Sequence, residues 1–189
     1  MMAETSSHRC HVENFIIQAG GHLITHPGGT LAAHLGRVAA MLQRWILDLS
    51  VVDAGHLHAA YGTDGFDVSI ADSTGQSDLI GLVGKEAEEL ISLYCRCNRI
   101  ASYSSWSSDR PSVIDRESGD AFALNDTQRK ALFNITIANE IDVLTHDSNL
   151  MKQHGKNLAE LFGRWREYLT SPALKELDEW VSILGSQTS

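Results

Sequence analysis

A chain of 189 residues, 43% hydrophobic and 21% charged, fits one domain that closes its own core without covalent staples. Its formal net charge is −9, and basic residues gather only in short helix-end groups such as Arg164 and Arg166, which argues against a nucleic-acid partner. No stretch approaches the roughly 20 apolar residues of a membrane span, and the opening residues lack a basic segment followed by an apolar run. A cytoplasmic protein with no membrane partner is expected.

Residues 1–12 read as disordered or loosely ordered, and residues 13–185 as one helical domain. A short helix over 13–19 closes at Gly20-Gly21. Pro27-Gly28-Gly29 is a turn, after which Thr30 caps a long amphipathic helix whose Leu31, Leu35, Val38, Leu42 and Ile46 mark one face, with His34 beside it. A second buried helix is predicted over 51–60. Residues 65–84, rich in Ser, Asp and Gly, read as an irregular crossing with about one helical turn near Leu79. A clear amphipathic helix follows over 86–99.

Residues 101–124 are polar and serine-rich and read as a long loop. Loops of that length inside a domain are often lids or disordered segments. Tyr103 and Trp106 on it could fold onto an apolar ligand, or Trp106 could plug the bundle permanently. Asn125-Asp126-Thr127 opens the strongest helix, to about residue 146. Another runs over 149–168, and Ser171-Pro172 starts a last helix ending near 184. No period-2 strand run appears, so the expected fold class is all-α, a single bundle of about six to seven helices.

Cys10, Cys95 and Cys97 form no disulfide framework. Cys95 and Cys97 lie two apart in a predicted helix and point about 200° apart, which is neither a metal nor a redox spacing. Asn134-Ile135-Thr136 matches a glycosylation acceptor but falls inside a helix.

Polar groups on faces that ought to be apolar carry the chemical signal. Asn139 and Asp142, three apart, border the stripe formed by Leu132, Ile135, Ala138, Ile141 and Leu144. Such groups are hydrogen-bonded, paired or turned to a cavity, and a structural salt bridge by Asp142 is the ordinary alternative. His58 and Tyr61, also three apart, share a predicted helical face, whereas His56 points elsewhere. Two histidines at spacing two on a helix do not chelate one ion, and a buried histidine is more often a satisfied core residue than a ligand.

Three stretches, Gly29-Thr30-Leu31-Ala32-Ala33-His34-Leu35, Ala54 to Phe66 around His56-Leu57-His58, and Ala138-Asn139-Glu140-Ile141-Asp142-Val143-Leu144-Thr145-His146, carry a family resemblance. In this order they resemble the HD-domain superfamily, and more closely a small all-α HD-like family whose metal motif is degenerate. The resemblance spans most of residues 13–170. It implies that the first His, the later His-Asp pair and a distal Asp converge on one or two metal ions. Here Ala59 stands where the signature has Asp, and Asn139 where the later helix usually gives Asp. Hard divalent ions prefer anionic oxygen, so these departures weaken such a site.

Two readings follow. In one, the pocket works without metal or cofactor: His34, His58, Tyr61 and Asp142 supply acid–base groups, and Asn139, Tyr103 and Trp106 contact the substrate. That set suits an isomerase, cyclase or lyase acting on a small apolar organic molecule of secondary-metabolite type. In the other, His34, His58 and Asp142 hold one iron or zinc ion in a hydrolase or oxygenase of HD type. A non-catalytic small-molecule-binding module is a third possibility, because function lives in the site and not in the fold.

Overall fold

Helix α1 runs Met2–Gln18 in the computed structural model, which describes residues 2–71 and 75–187. It lays Val12 and Ile16 into the core. Its early turns are tied by His8, whose Nε2 lies 2.7 Å from Asp53 Oδ2, and by an Arg9–Glu13 pair one turn apart. Residues 2–12, expected to be loose, are therefore helical, while Met1 lies outside the described residues.

Strands β1 (Thr25–His26) and β2 (Gly29–Thr30) form a tight antiparallel hairpin through Pro27-Gly28. Thr30 caps α2 (Leu31–Arg44) by accepting the Ala33 N–H at 3.2 Å. The α2 stripe of Leu31, Leu35, Val38 and Leu42 is buried, and His34 is buried with it. Helix α3 (Leu49–His56) packs closely on α2: a Cβ at Gly55 would collide with Leu42 Cδ1. It stops at His56, short of the predicted end, and residues 57–61 continue as turns.

Helix α4 (Gln76–Val83) occupies part of the segment read as irregular, of which residues 72–74 lie outside the described residues. Helix α5 (Lys85–Arg96) follows as the pattern predicts.

The expected loop at 101–124 is the largest correction. It consists of α6 (Arg99–Trp106) and an antiparallel hairpin of β3 (Ser112–Ile114) and β4 (Ala121–Ala123). Serine hydroxyls hold it together: Ser102 Oγ accepts the Ile114 N–H at 2.9 Å, and Ser105 Oγ donates to Ser102 O at 2.8 Å.

The central element is α7 (Asp126–His146), opened by a reciprocal capping box between Asn125 and Gln128. It is buried continuously from Ala131 to Asn139 and touches α2, α3, α5, α8 (Ser148–Gly163) and α9 (Ser171–Gln187). Apart from the two short hairpins the fold is all-α.

Candidate functional site

Two helices far apart in sequence meet at His34. Its Nδ1 lies 2.7 Å from Asp142 Oδ2, and its Nε2 lies 3.1 Å from Asn139 Oδ1 and 3.3 Å from His58 Nε2. All four side chains are at most 5% exposed. α2 presents His34 from its apolar stripe. α7 presents Asn139 and Asp142 from neighbouring turns of one face. His58 arrives from the turns after α3, where its Nδ1 donates to Gly55 O at 2.7 Å. That bond satisfies a carbonyl left open by the end of α3 and turns Nε2 inward.

Asp142 is held from a second side by Arg37, which donates from Nε to Oδ1 at 2.7 Å and from Nη2 to Oδ2 at 2.9 Å. Burial works to raise the Asp142 carboxyl, but hydrogen bonds and charge from His34 and Arg37 outweigh it and hold it down at about 2. Asp142 is therefore a carboxylate, and His34 Nδ1 is its donor. Burial, reinforced by the charge of His34, pushes His58 down to about 3, so its imidazole is neutral.

Proton accounting at the centre follows from these contacts. The Asn139 amide is oriented by Glu140, because its Nδ2 donates to Glu140 Oε1 at 3.1 Å and a carboxylate only accepts. The Arg99–Glu140 ion pair at 2.9 Å fixes Glu140 in turn. Asn139 Oδ1 and neutral His58 Nε2 are then both acceptors, and both face His34 Nε2. Three acceptors around one point repel unless a cation lies among them. With a proton on each ring nitrogen, His34 satisfies Asp142, Asn139 and His58 together.

Two further rings border the cluster. His26 of the β1–β2 hairpin stacks on His34 with centroids 4.0 Å apart, and Phe66 meets His26 edge-on at 5.3 Å. Burial and the His34 charge lower His26 to about 4. Arg37 pins the hairpin by donating to Gly28 O and Pro27 O, both at 3.2 Å. On the opposite flank the Tyr94 ring meets the His58 ring edge-on at 5.3 Å. The Tyr94 hydroxyl is buried without a hydrogen-bond partner, an arrangement that folded proteins rarely leave unexplained.

The structure brings His34, His58, Asn139 and Asp142 together, and it does not add Tyr61, Tyr103 or Trp106. Because α3 ends at His56, Tyr61 no longer shares a helical face with His58. Its hydroxyl donates to Glu88 Oε1 at 3.1 Å, and its ring lines a separate cavity of about 350 Å³ with Cys95, Arg96 and Arg116. Trp106 is 1% exposed, donates its indole N–H to Ser112 O at 3.0 Å, and packs on Phe133 and Trp165. Tyr103 joins that cluster edge-on to Trp165 at 5.5 Å. These two aromatics plug the bundle rather than form a lid.

Sequence reasoning passed over His26, Arg37, Tyr94, Arg99 and Glu140. Arg37 carried a signal, one turn after His34 on the same helix. His26 and Tyr94 carried none that separates them from turn and core residues.

The donor set fits a metal only in part. Both histidines give Nδ1 to an acceptor, which fixes the ring and turns Nε2 inward, as in metal-bound imidazoles. The third inward atom is the neutral amide oxygen of Asn139. Asp142 lies behind His34 on the other ring nitrogen, so the expected set of two histidines and one carboxylate is not assembled. Among the described residues no group of three or more His, Cys, Asp or Glu is arranged to hold an ion.

Residues 15–99 match the family described as a domain of unknown function (DUF6817). The matched segment carries His26, His34, Arg37, His58 and Tyr94, and it ends before α7, which supplies Asn139 and Asp142. No curated protein and no solved structure matches the chain.

Proposed function

We propose that this protein is an acid–base enzyme on an HD-like helical scaffold, an isomerase, cyclase or lyase for a small apolar organic molecule, working without metal or cofactor. The single observation that carries the reading is His34 bridging Asp142 on one nitrogen and His58 on the other. Asp142 fixes the His34 ring and stabilises its protonated form, the orienting role that a carboxylate plays for a catalytic imidazole. His34 Nε2–H is then the acid, and His58 Nε2 is the neutral acceptor beside it. The unpartnered Tyr94 hydroxyl is a ready donor for a substrate oxygen.

As it stands the cluster is closed, with His34 1% exposed under His26. Substrate entry therefore requires the β1–β2 hairpin to swing from His34, and the Arg37 bonds to Gly28 O and Pro27 O are the ones that break. The three free cysteines favour a cytoplasmic setting.

Deuterium incorporation from heavy water into a panel of small enolisable ketones and lactones tests the reading. The native protein is expected to exchange protons α to a carbonyl, and His58→Ala to lose about a hundredfold or more of that rate. Equal rates in both proteins would end the acid–base reading.

The second reading is metal-dependent hydrolysis or oxygenation. The inward pair of Nε2 atoms favours it, with His34, His58 and Asn139 as ligands and Asp142 behind His34. A bound iron or zinc ion would supply Lewis acidity or oxygen chemistry. About one tightly held iron or zinc per purified chain would select this reading.

A further inference from the structure

His56 and His58 lie two residues apart, and the end of α3 sends their rings to different places. His58 joins His34. His56 lines a separate cavity of about 180 Å³ between α1, α2 and α3, whose polar lining includes His8, Gln43 and Asp53. His56 is 3% exposed, and among the described residues its ring has no hydrogen-bond partner. Asp53 is 5% exposed, and its side chain has one partner, His8 on Oδ2, which leaves Oδ1 open. Neither the His56 ring nitrogens nor Asp53 Oδ1 is sealed off; both open on the cavity, where water or a ligand can complete them.

The charges around the cavity define what would complete them. Burial raises the Asp53 carboxyl despite the bond from His8, the behaviour of a carboxylate short of counter-charge. Burial also lowers His56 to about 4, so at neutral pH it offers a free ring nitrogen as acceptor. Arg9 does not supply the missing charge, because it is engaged by Glu13 at 3.0 Å and Gln43 at 3.3 Å. The remaining wall, Ala39, Leu47, Leu49 and Val52, is apolar.

We propose that this cavity is a second binding site, for a small amphipathic primary ammonium compound whose N–H groups bond Asp53 and His56 and whose tail lies on Leu47, Leu49 and Val52. An ammonium is a compact charge with three donors, which matches two adjacent acceptors. A carboxylate ligand would be repelled by Asp53, and a purely apolar one would leave both polar groups unsatisfied. At roughly 30 Å³ per water-sized group, the cavity takes about six such groups, enough for a four-carbon amine.

The test uses the full chain, isotopically labelled, titrated with n-butylammonium chloride and separately with n-butanol and sodium butyrate. Saturable shifts are expected for the α3 amides and for the His56 ring nitrogens with the amine, with binding at least about tenfold weaker for the alcohol and none for butyrate. Asp53→Asn should weaken the amine about tenfold or more while the His34 ring signals keep their positions. Equal affinity for amine and alcohol, or an unperturbed His56 ring across the amine titration, overturns the proposal. The His56 readout needs no variant, so it decides the matter even where Asp53→Asn loosens α1.

Discussion

Three donors converge on the two oxygens of Asp142, one from His34 and two from Arg37. Replacing Asp142 with Asn removes the charge and leaves Arg37 and His34 facing an amide. Breaking one partner of a buried ion pair typically costs about 3–5 kcal/mol, so Asp142→Asn should lower stability by about 3 kcal/mol at pH 7 in urea unfolding. A carboxyl held near 2, below its ordinary 3.8, contributes stability above 3.8 and loses it as pH falls through about 2. The gap between native and variant should therefore shrink between pH 4 and pH 2. A gap that stays constant across that range would mean that Asp142 acts through packing alone. The inward polar pair on α7 was legible in the sequence because it interrupts an apolar stripe. Its pairing with Arg37 was not: Arg37 lies one turn after His34 on α2, but the contact joins residues 105 apart in the chain.

The buried histidines set a second pH dependence of the same sign, at higher pH. His56 and His58 are depressed to about 4 and about 3, so the unfolded chain takes up their protons near 6.5 and the folded one does not. Their contribution is complete above 6.5 and declines as pH falls toward those lower values, at roughly 1.4 kcal/mol per pH unit for each histidine. Urea unfolding at pH 7.5 and pH 5.0 should show this loss, and His56→Asn should reduce its slope by about one proton. An unchanged slope in that variant would place the ring in water rather than in the cavity wall.

At the level of elements, the β1–β2 hairpin and the α6–β3–β4 segment behave differently from what composition predicts. Gly28 has φ +78°, and a Cβ there would lie 2.6 Å from the His146 ring and 2.8 Å from Arg37 Nη2. Gly28→Ala should cost at least about 1–2 kcal/mol from the left-handed backbone alone. It should also displace His26 from His34, visible as a shift of both ring signals; rings that do not move would show that the hairpin is not latched through this turn.

The serine-rich segment was misread because its hydroxyls serve the backbone. Ser102 and Ser105 bond main-chain groups, so a composition that resembles a solvated loop builds an ordered cap. Trp106→Ala should cost about 3–5 kcal/mol and leave the His34 and His58 signals in place. Fast hydrogen exchange across residues 101–106 in the native protein would restore the lid. The strongly periodic α2 and α5, by contrast, were readable from three-and-four spacing, and α7 from its Asn125-Asp126-Thr127 start.

Across the whole molecule, α7 is the shaft on which α2, α3 and the later helices assemble, and the candidate site lies where α2 and the turns after α3 meet it. The all-α class followed from helical periodicity and the absence of alternating runs. The convergence of three separate segments on one point followed from their inward polar residues. The occupant of that point does not follow from either, because Asn139, His58 and His34 present three acceptors to one position, and a proton resolves the repulsion as a metal ion would, although the neutral Asn139 oxygen makes the fit to a metal partial. Nitrogen-15 NMR of the imidazole rings at pH 7, on protein whose iron and zinc content is measured in the same sample, distinguishes them. We expect substoichiometric metal, His34 protonated on both ring nitrogens, and His58 neutral with its proton on Nδ1. One metal ion per chain with both Nε2 atoms coordinated, or a His34 ring bearing a single proton, would contradict the acid–base centre proposed above.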